Sequence, residues 1–375
     1  MVGTVPPQQS ALNIVMGAMT FGAPGTDGAR VHDVKDIEAI LDVFLKHGHR
    51  EVRLFTLCCA PALTHLILRA YTAGGTCEEY LGKINWQEKG ILMETKLYPT
   101  PGKEFTGSHS PEDLRKFLMM SLKALNTEWA QLILLPALQL TDSVLLNSKI
   151  EMWYLHGPDR SVPYEVTLKA VDELYREGHF RRFGISNYMA WEVAEMVGIC
   201  KRNGYIQPTA YQGIYNAIHR GVEPELFPRA TQVRHRVLRV QPPYNFFFAG
   251  GFFTDRYTSM DEKPESGSRF DPERNQGKNY RKRYWKPAYF EALAAIRPVV
   301  EAHGLTMAEV ALRWISHHSL MRREHGDAVL IGASSLAHIE QNLIDLEKGP
   351  LPDEVLKALD SAWEHVKPHA SNYYH

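Results

Sequence analysis

Five apolar runs in this chain stop on a polar residue suited to redox chemistry. ILMETK reaches Lys96, MWYLH ends on His156, and FGISN ends on Asn187 after Ser186. TAYQ ends on Gln212, and AVLIGASS ends on Ser334 and Ser335. Each run is short enough for a buried strand and precedes a turn or a helix start. A parallel barrel collects the C-terminal ends of its strands on one face and carries its active site there. A lysine, a histidine and side-chain amides repeated at strand exits therefore describe one pocket. A cation there could make a neighbouring hydroxyl more acidic, and an imidazole could orient a carbonyl oxygen.

The rest of the chain must position these groups. The spacing predicts strands at 13–20, 91–97, 150–156, 183–186, 209–212 and 328–332. It predicts helices at 32–47, 111–125, 163–177, 191–202, 306–318, 336–346 and 352–366. In the first helix Ile37, Ile40, Leu41, Phe44 and Leu45 repeat at helical spacing. Ser110 with Pro111, and Thr306 with Glu309, are helix-start signals. Strand and helix alternate with short connectors, which predicts an α/β fold, an eight-fold (β/α)8 TIM barrel in one domain over residues 1–375. The segment 263–278 reads as a long surface loop at the barrel mouth.

Composition narrows the function. Forty-two basic residues against 43 acidic ones give a net charge of −1, so no global field draws the chain to nucleic acid or an anionic membrane. The basic run KNYRKRYWK at 278–286 is outweighed by that balance. Four cysteines, Cys58, Cys59, Cys77 and Cys200, form no disulfide framework or metal spacing, which fits a reducing, cytoplasmic setting without metal. No G-x-G-x-x-G follows the first strand, and no Walker loop, H-E-x-x-H or G-x-S-x-G is present. No apolar run is long enough to span a membrane, and no signal peptide opens the chain.

The order of several motifs carries a family resemblance. MGAMTFG (16–22), GGTCEEYLG (74–82), METKLYP (93–99), WYLHGPD (153–159), GISNYMAWEVAE (184–195), TAYQGIYNA (209–217), HGDAVLIGASSL (325–336) and the terminal NYY (372–374) stand where the aldo-keto reductases have similar words. The chain most resembles the aflatoxin-aldehyde reductase branch. That resemblance implies a TIM barrel that binds NADPH and reduces aldehydes or ketones to alcohols. It implies a catalytic Tyr71 as proton donor, Lys96 beside it, and His156 to hold the carbonyl. It assigns Ser186, Asn187 and Gln212 to the nicotinamide end. Gly250, Gly251, Arg269, Ser334, Ser335, His338, Gln341 and Asn342 fall to the remainder of the cofactor. Arg281 and Arg283, with His156, would meet the substrate, a small carbonyl compound, and kinship suggests a homodimer.

Three segments, about 53–70, 128–148 and 229–248, depart from the family pattern and are expected to disrupt the barrel locally, the third by removing a strand. In the first, the family's Asp-Thr-Ala after His49-Arg50-Glu51-Val52 is replaced by Arg-Leu-Phe, and no Asp occurs between Asp42 and Tyr71. The family pairs that Asp with the catalytic lysine. Its absence implies a second outcome, a catalytically impaired barrel that still binds NADPH.

Overall fold

The structure, a computed structural model, describes residues 7–26, 28–54, 76–99, 107–127, 150–227, 239–241, 251–253 and 256–375. Tyr71 and Gly250 lie outside these residues, as do Cys58 and Cys59.

Among the described residues eight parallel strands form one sheet: β1 (Asn13–Gly17), β2 (Glu51–Arg53), β3 (Leu92–Leu97), β4 (Ile150–Leu155), β5 (Phe180–Ser186), β6 (Pro208–Gln212), β7 (Arg239–Gln241) and β8 (Ala328–Gly332). Each is hydrogen-bonded to its sequence neighbour from β1 to β7, and β8 returns to pair with β1. β7 and β8 approach within 8 Å between Cα atoms across the remaining seam. The sheet is thus curled into a (β/α)8 barrel, as expected. The third divergent segment does not remove a strand. Residues 239–241 pair with β6 in register, Ala210 with Arg239 and Gln212 with Gln241. Three residues suffice there because the ladder is templated by the longer β6.

Ten helices of seven residues or more are present among the described residues. They are α1 (Val34–Lys46), α2 (Thr76–Gly82), α3 (Pro111–Ala124), α4 (Tyr164–Arg176), α5 (Ala190–Asn203), α6 (Asn275–Tyr284), α7 (Pro287–Ala302), α8 (Met307–His317), α9 (Leu336–Glu347) and α10 (Asp353–Val366). Their start signals act as the sequence suggests. Ser110 accepts from the Asp113 amide and Thr306 from Glu309; Asp33, which the sequence did not single out, accepts from the Lys35 amide. α1 buries Ile37, Ile40, Leu41 and Phe44, each such side chain worth about 1.5–3 kcal/mol of transfer free energy. α2, α6 and α7 were not anticipated. Part of the expected 263–278 loop is helix α6, and the loop itself is packed, with Phe270 and Ser268 buried.

Alternation along the strands separates two environments. Trp153 and Leu155 of β4 join the large core between sheet and helices, whereas Met152 and Tyr154 cluster with Ala210 on the inner face. Register puts Arg53 beside Glu94 and Glu94 beside Met152. One layer higher, Lys96 lies beside Tyr154 and Tyr154 beside Gly184. A barrel interior is ordinarily filled by branched apolar side chains. Here its middle holds Arg53, Glu94 and Lys96.

Candidate active site at the strand exits

Lys96 is the penultimate residue of β3 and 2% exposed. Its Nζ donates at 3.2 Å to Oε1 of Gln212, the last residue of β6. His156 follows β4 directly, and its amide donates to the Leu97 carbonyl at 2.7 Å. Its ring meets the edge of Tyr98 at 5.4 Å between centroids. Asn187 follows β5 with φ at 65°, the left-handed region that asparagine tolerates better than most residues. From that turn its Nδ2 donates to the His156 carbonyl at 2.8 Å and to Ser186 Oγ at 3.1 Å. The Asn187 amide donates to the Gln212 carbonyl at 3.3 Å. Lys96, His156, Ser186, Asn187 and Gln212 are therefore brought together, each linked to the next by a hydrogen bond or a strand neighbour.

The neighbour of Lys96 is the arginine that follows Val52, which the sequence marks only as the replacement for an expected Asp. Arg53 ends β2 at the position where the family pattern has Asp. Its Nε donates to Glu94 Oε2 at 2.5 Å, in an ion pair with both side chains fully buried. Its second nitrogen donates to Gln212 Oε1 at 3.2 Å, the oxygen that also receives Lys96. A third contact donates to the Tyr154 hydroxyl, and the guanidinium carbon lies 4.1 Å from the Tyr154 ring centroid. Gly184 makes this stack attainable, because a Cβ there would stand 2.2 Å from the Tyr154 ring. Burial, then the Arg53 charge, hold the Lys96 ammonium well below the usual lysine range; Glu94 and Cys77 oppose the shift.

The expected phosphate end also assembles. A cavity of about 540 Å³ is lined by Gly251, Arg269, Ser334, His338 and Asn342, five of the expected residues. Ser334 Oγ and His338 Nδ1 lie 2.8 Å apart, and Asn342 Nδ2 donates to the Gly332 carbonyl at 3.3 Å. Arg30, Arg256 and Gln276 line it too and were missed. Arg30 and Arg256 lie in loops leaving the C-terminal ends of β1 and β7, which is the signal that could have found them. Burial, then Arg269 and Arg274, lower the Arg30 pKa, the mark of cations crowded together. Among the described residues Glu265 is the one carboxylate in the lining, 3.2 Å from Arg256. Crowded guanidiniums beside the N-terminus of α9 suit an anion carrying several negative charges.

Two expected cofactor residues sit beside this cavity without lining it. Ser335 caps α9 by accepting from the His338 amide at 3.3 Å, and Gln341 donates to Asp345 at 3.0 Å. Arg281 stacks on Trp285 at 4.4 Å, and Arg283 donates to Ser371 Oγ at 3.3 Å. Both belong to α6, and of the two Arg283 is the one seen to touch the C-terminal segment. That segment reaches the site: the His375 amide donates to the Asn187 carbonyl at 3.1 Å, and the Tyr373 hydroxyl accepts from the Ala190 amide at 3.1 Å.

A curled parallel sheet with polar groups gathered at its strand exits, and a cationic cavity beside its last strand, defines a (β/α)8 barrel with one site on its C-terminal face. The chain belongs to the aldo/keto reductase family, a family of oxidoreductases, whose sequence model matches residues 143–364. It is 39% identical to the aldo-keto reductase pigE of Monascus ruber, with all of both chains covered. It is 35% identical to aldo-keto reductase family 7 member A3 of Homo sapiens over 96% of each chain. It is also 35% identical to aflatoxin B1 aldehyde reductase member 2 of Mus musculus, over 96% of this chain and 87% of that one. Among the described residues no helix is long and apolar enough to cross a membrane.

Proposed function

We propose that this protein reduces aldehydes and ketones to alcohols with NADPH. The observation that carries the reading is the linked set Lys96, His156, Asn187 and Gln212 at adjoining strand exits. The residues present fit the cofactor: side-chain amides stand at one end and three arginines with the α9 start at the other. When bound, NADPH supplies the hydride.

The chain's own groups do the rest. His156 orients the carbonyl oxygen, held by its backbone bonds to Leu97 and Asn187. Tyr71 donates the proton to the developing oxyanion, and a positive Lys96 makes that phenol more acidic. Arg269, with Arg30 and Arg256, meets the extra phosphate that separates NADPH from NADH. Ser186 and Asn187 hold the amide of the nicotinamide.

One observation favours a second reading. Arg53 stands where a carboxylate would favour the charged form of Lys96, and its positive charge disfavours it. An NADPH-binding barrel with little turnover is the outcome if too little Lys96 is protonated. NADPH fluorescence titration together with turnover of 4-nitrobenzaldehyde separates the two. Binding with turnover supports the reductase, and binding alone supports the impaired barrel.

A further inference from the structure

We propose that Arg53 is a positioning residue that sets the polarity with which this site reads the nicotinamide carboxamide: Gln212 donates to its oxygen, and Asn187 accepts from its nitrogen. The inference rests on the reading of these strand exits as the nicotinamide end of an NADPH site. It goes beyond that reading by saying which atom of the cofactor each side chain takes.

A side-chain amide is alike in shape at its two ends and opposite in function, so the partners of one end decide what the other can offer. At Gln212 the oxygen is taken. Arg53 and Lys96 each donate to Oε1 at 3.2 Å. A guanidinium has donors and no acceptor, so the Gln212 nitrogen cannot stand in that place. Two donors also fill both lone pairs of Oε1. Arg53 is itself held in position, by Glu94 at 2.5 Å from its Nε and by the Tyr154 ring 4.1 Å from its guanidinium carbon.

At Asn187 the nitrogen is taken. Nδ2 donates to the His156 carbonyl at 2.8 Å and to Ser186 Oγ at 3.1 Å. A carbonyl only accepts, which fixes Nδ2 on that side. Among the described residues no group bonds the two remaining ends, Gln212 Nε2 and Asn187 Oδ1, and neither is enclosed. They leave adjoining strand exits, where the Asn187 amide donates to the Gln212 carbonyl at 3.3 Å.

One donor beside one acceptor is the complement of a primary amide. The match sets the carboxamide oxygen toward β6 and its nitrogen toward β5. The opposite setting faces nitrogen with nitrogen and oxygen with oxygen, and loses both bonds. A carboxylate at position 53 would accept from Gln212 Nε2 and turn Oε1 outward. The sign of the charge at the end of β2 therefore decides what Gln212 presents.

The test is displacement of fluorescent NADPH from the full chain by three oxidised nucleotides. They are NADP+, its thionicotinamide analogue, whose sulfur accepts poorly, and its 3-acetylpyridine analogue, which has a methyl group in place of the amide nitrogen. Wild type is expected to bind NADP+ about threefold to tenfold tighter than either analogue, the loss of one hydrogen bond. Asn187→Gly keeps the positive φ; it is expected to lose the preference over the acetylpyridine analogue and retain that over the thio analogue. Arg53→Asp with Glu94→Gln is expected to lose the preference over the thio analogue, and Arg53→Lys to retain it. A merely loosened site weakens all three nucleotides alike and leaves these ratios unmoved. Equal binding of the three by wild type overturns the proposal. So do an Asn187→Gly that loses the thio preference in place of the other, and an unchanged thio preference in a folded Arg53→Asp with Glu94→Gln. If that double variant does not fold by circular dichroism, the Asn187→Gly pattern decides. Absence of NADPH binding sinks the cofactor reading and this inference together, whereas tight binding with the reversed pattern sinks the polarity alone.

Discussion

Arg53 and Lys96 converge on the same atom, Oε1 of Gln212, at 3.2 Å each. A position at the end of β2 that would supply a negative charge to the lysine supplies a positive one instead. The consequences for protonation, stability and catalysis follow from that exchange of sign.

In the proposed mechanism, carbonyl reduction through Tyr71 requires Lys96 as its ammonium form. The folded pKa of Lys96 is depressed, so the protonated fraction falls as pH rises through a point well below the ordinary lysine value. The kcat for NADPH-dependent reduction is therefore expected to fall toward alkaline pH earlier than a free lysine would dictate. Arg53→Asp combined with Glu94→Gln, which restores a single carboxylate, shifts that fall upward and raises kcat at neutral pH. A pH–rate profile of both proteins checks this. Stability moves oppositely: between the depressed and ordinary values the unfolded chain binds more protons at Lys96, so this group's contribution grows more favourable as pH rises.

The Arg53–Glu94 pair sits in a fully buried layer. Removing one partner leaves the other charge uncompensated and costs about 3–5 kcal/mol, whereas replacing both with apolar residues of similar volume costs far less. Glu94→Leu is expected to unfold at markedly lower urea than wild type. Arg53→Met with Glu94→Leu is expected to recover most of that loss. Urea denaturation of the two proteins measures the coupling.

Arg269 lines the cationic cavity with Ser334 and His338. Arg269→Ala is expected to weaken NADPH binding about tenfold to a hundredfold, the loss of one charge-assisted contact. NADH binding should change little. Fluorescence titrations with both nucleotides test the assignment, and NADPH affinity should also fall with added salt.

Asn187 ties three strand exits together from a left-handed turn. Asn187→Gly keeps the turn and loses the side-chain bonds; Asn187→Ala loses both. KM for NADPH is expected to rise about tenfold in the glycine variant and further in the alanine variant, because the strained φ costs about 1–3 kcal/mol without asparagine's tolerance. Steady-state kinetics with NADPH as the varied substrate distinguishes the two steps.

Much of this was legible in the sequence because the signals are local. β3, β4 and β8 announce themselves as apolar runs, and Lys96, His156 and Ser334 are the polar residues that end or follow them. α1 and α8 carry both an apolar stripe and a capping residue. β2 was hidden because it has three residues, two of them charged, and the fully buried one is Arg53. Nothing near Arg53 in the chain marks it as buried; its partner Glu94 is 41 residues away. α6 was masked by its basic run, although Tyr280 and Tyr284, four residues apart, are the buried face. Of the missed cavity arginines, Arg30 follows the anticipated first strand and was open to the strand-exit signal, whereas Arg256 follows β7, a three-residue strand that the sequence does not mark.

The central claim is carbonyl reduction by groups gathered around Lys96, and the direct measurement is loss of nicotinamide absorbance when the purified full chain is mixed with NADPH and 4-nitrobenzaldehyde at mildly acidic pH. Loss well above the rate without protein, abolished in Lys96→Met while NADPH still quenches fluorescence, is the predicted result. Fluorescence quenching with no absorbance loss at any pH at which the protein stays folded would contradict it.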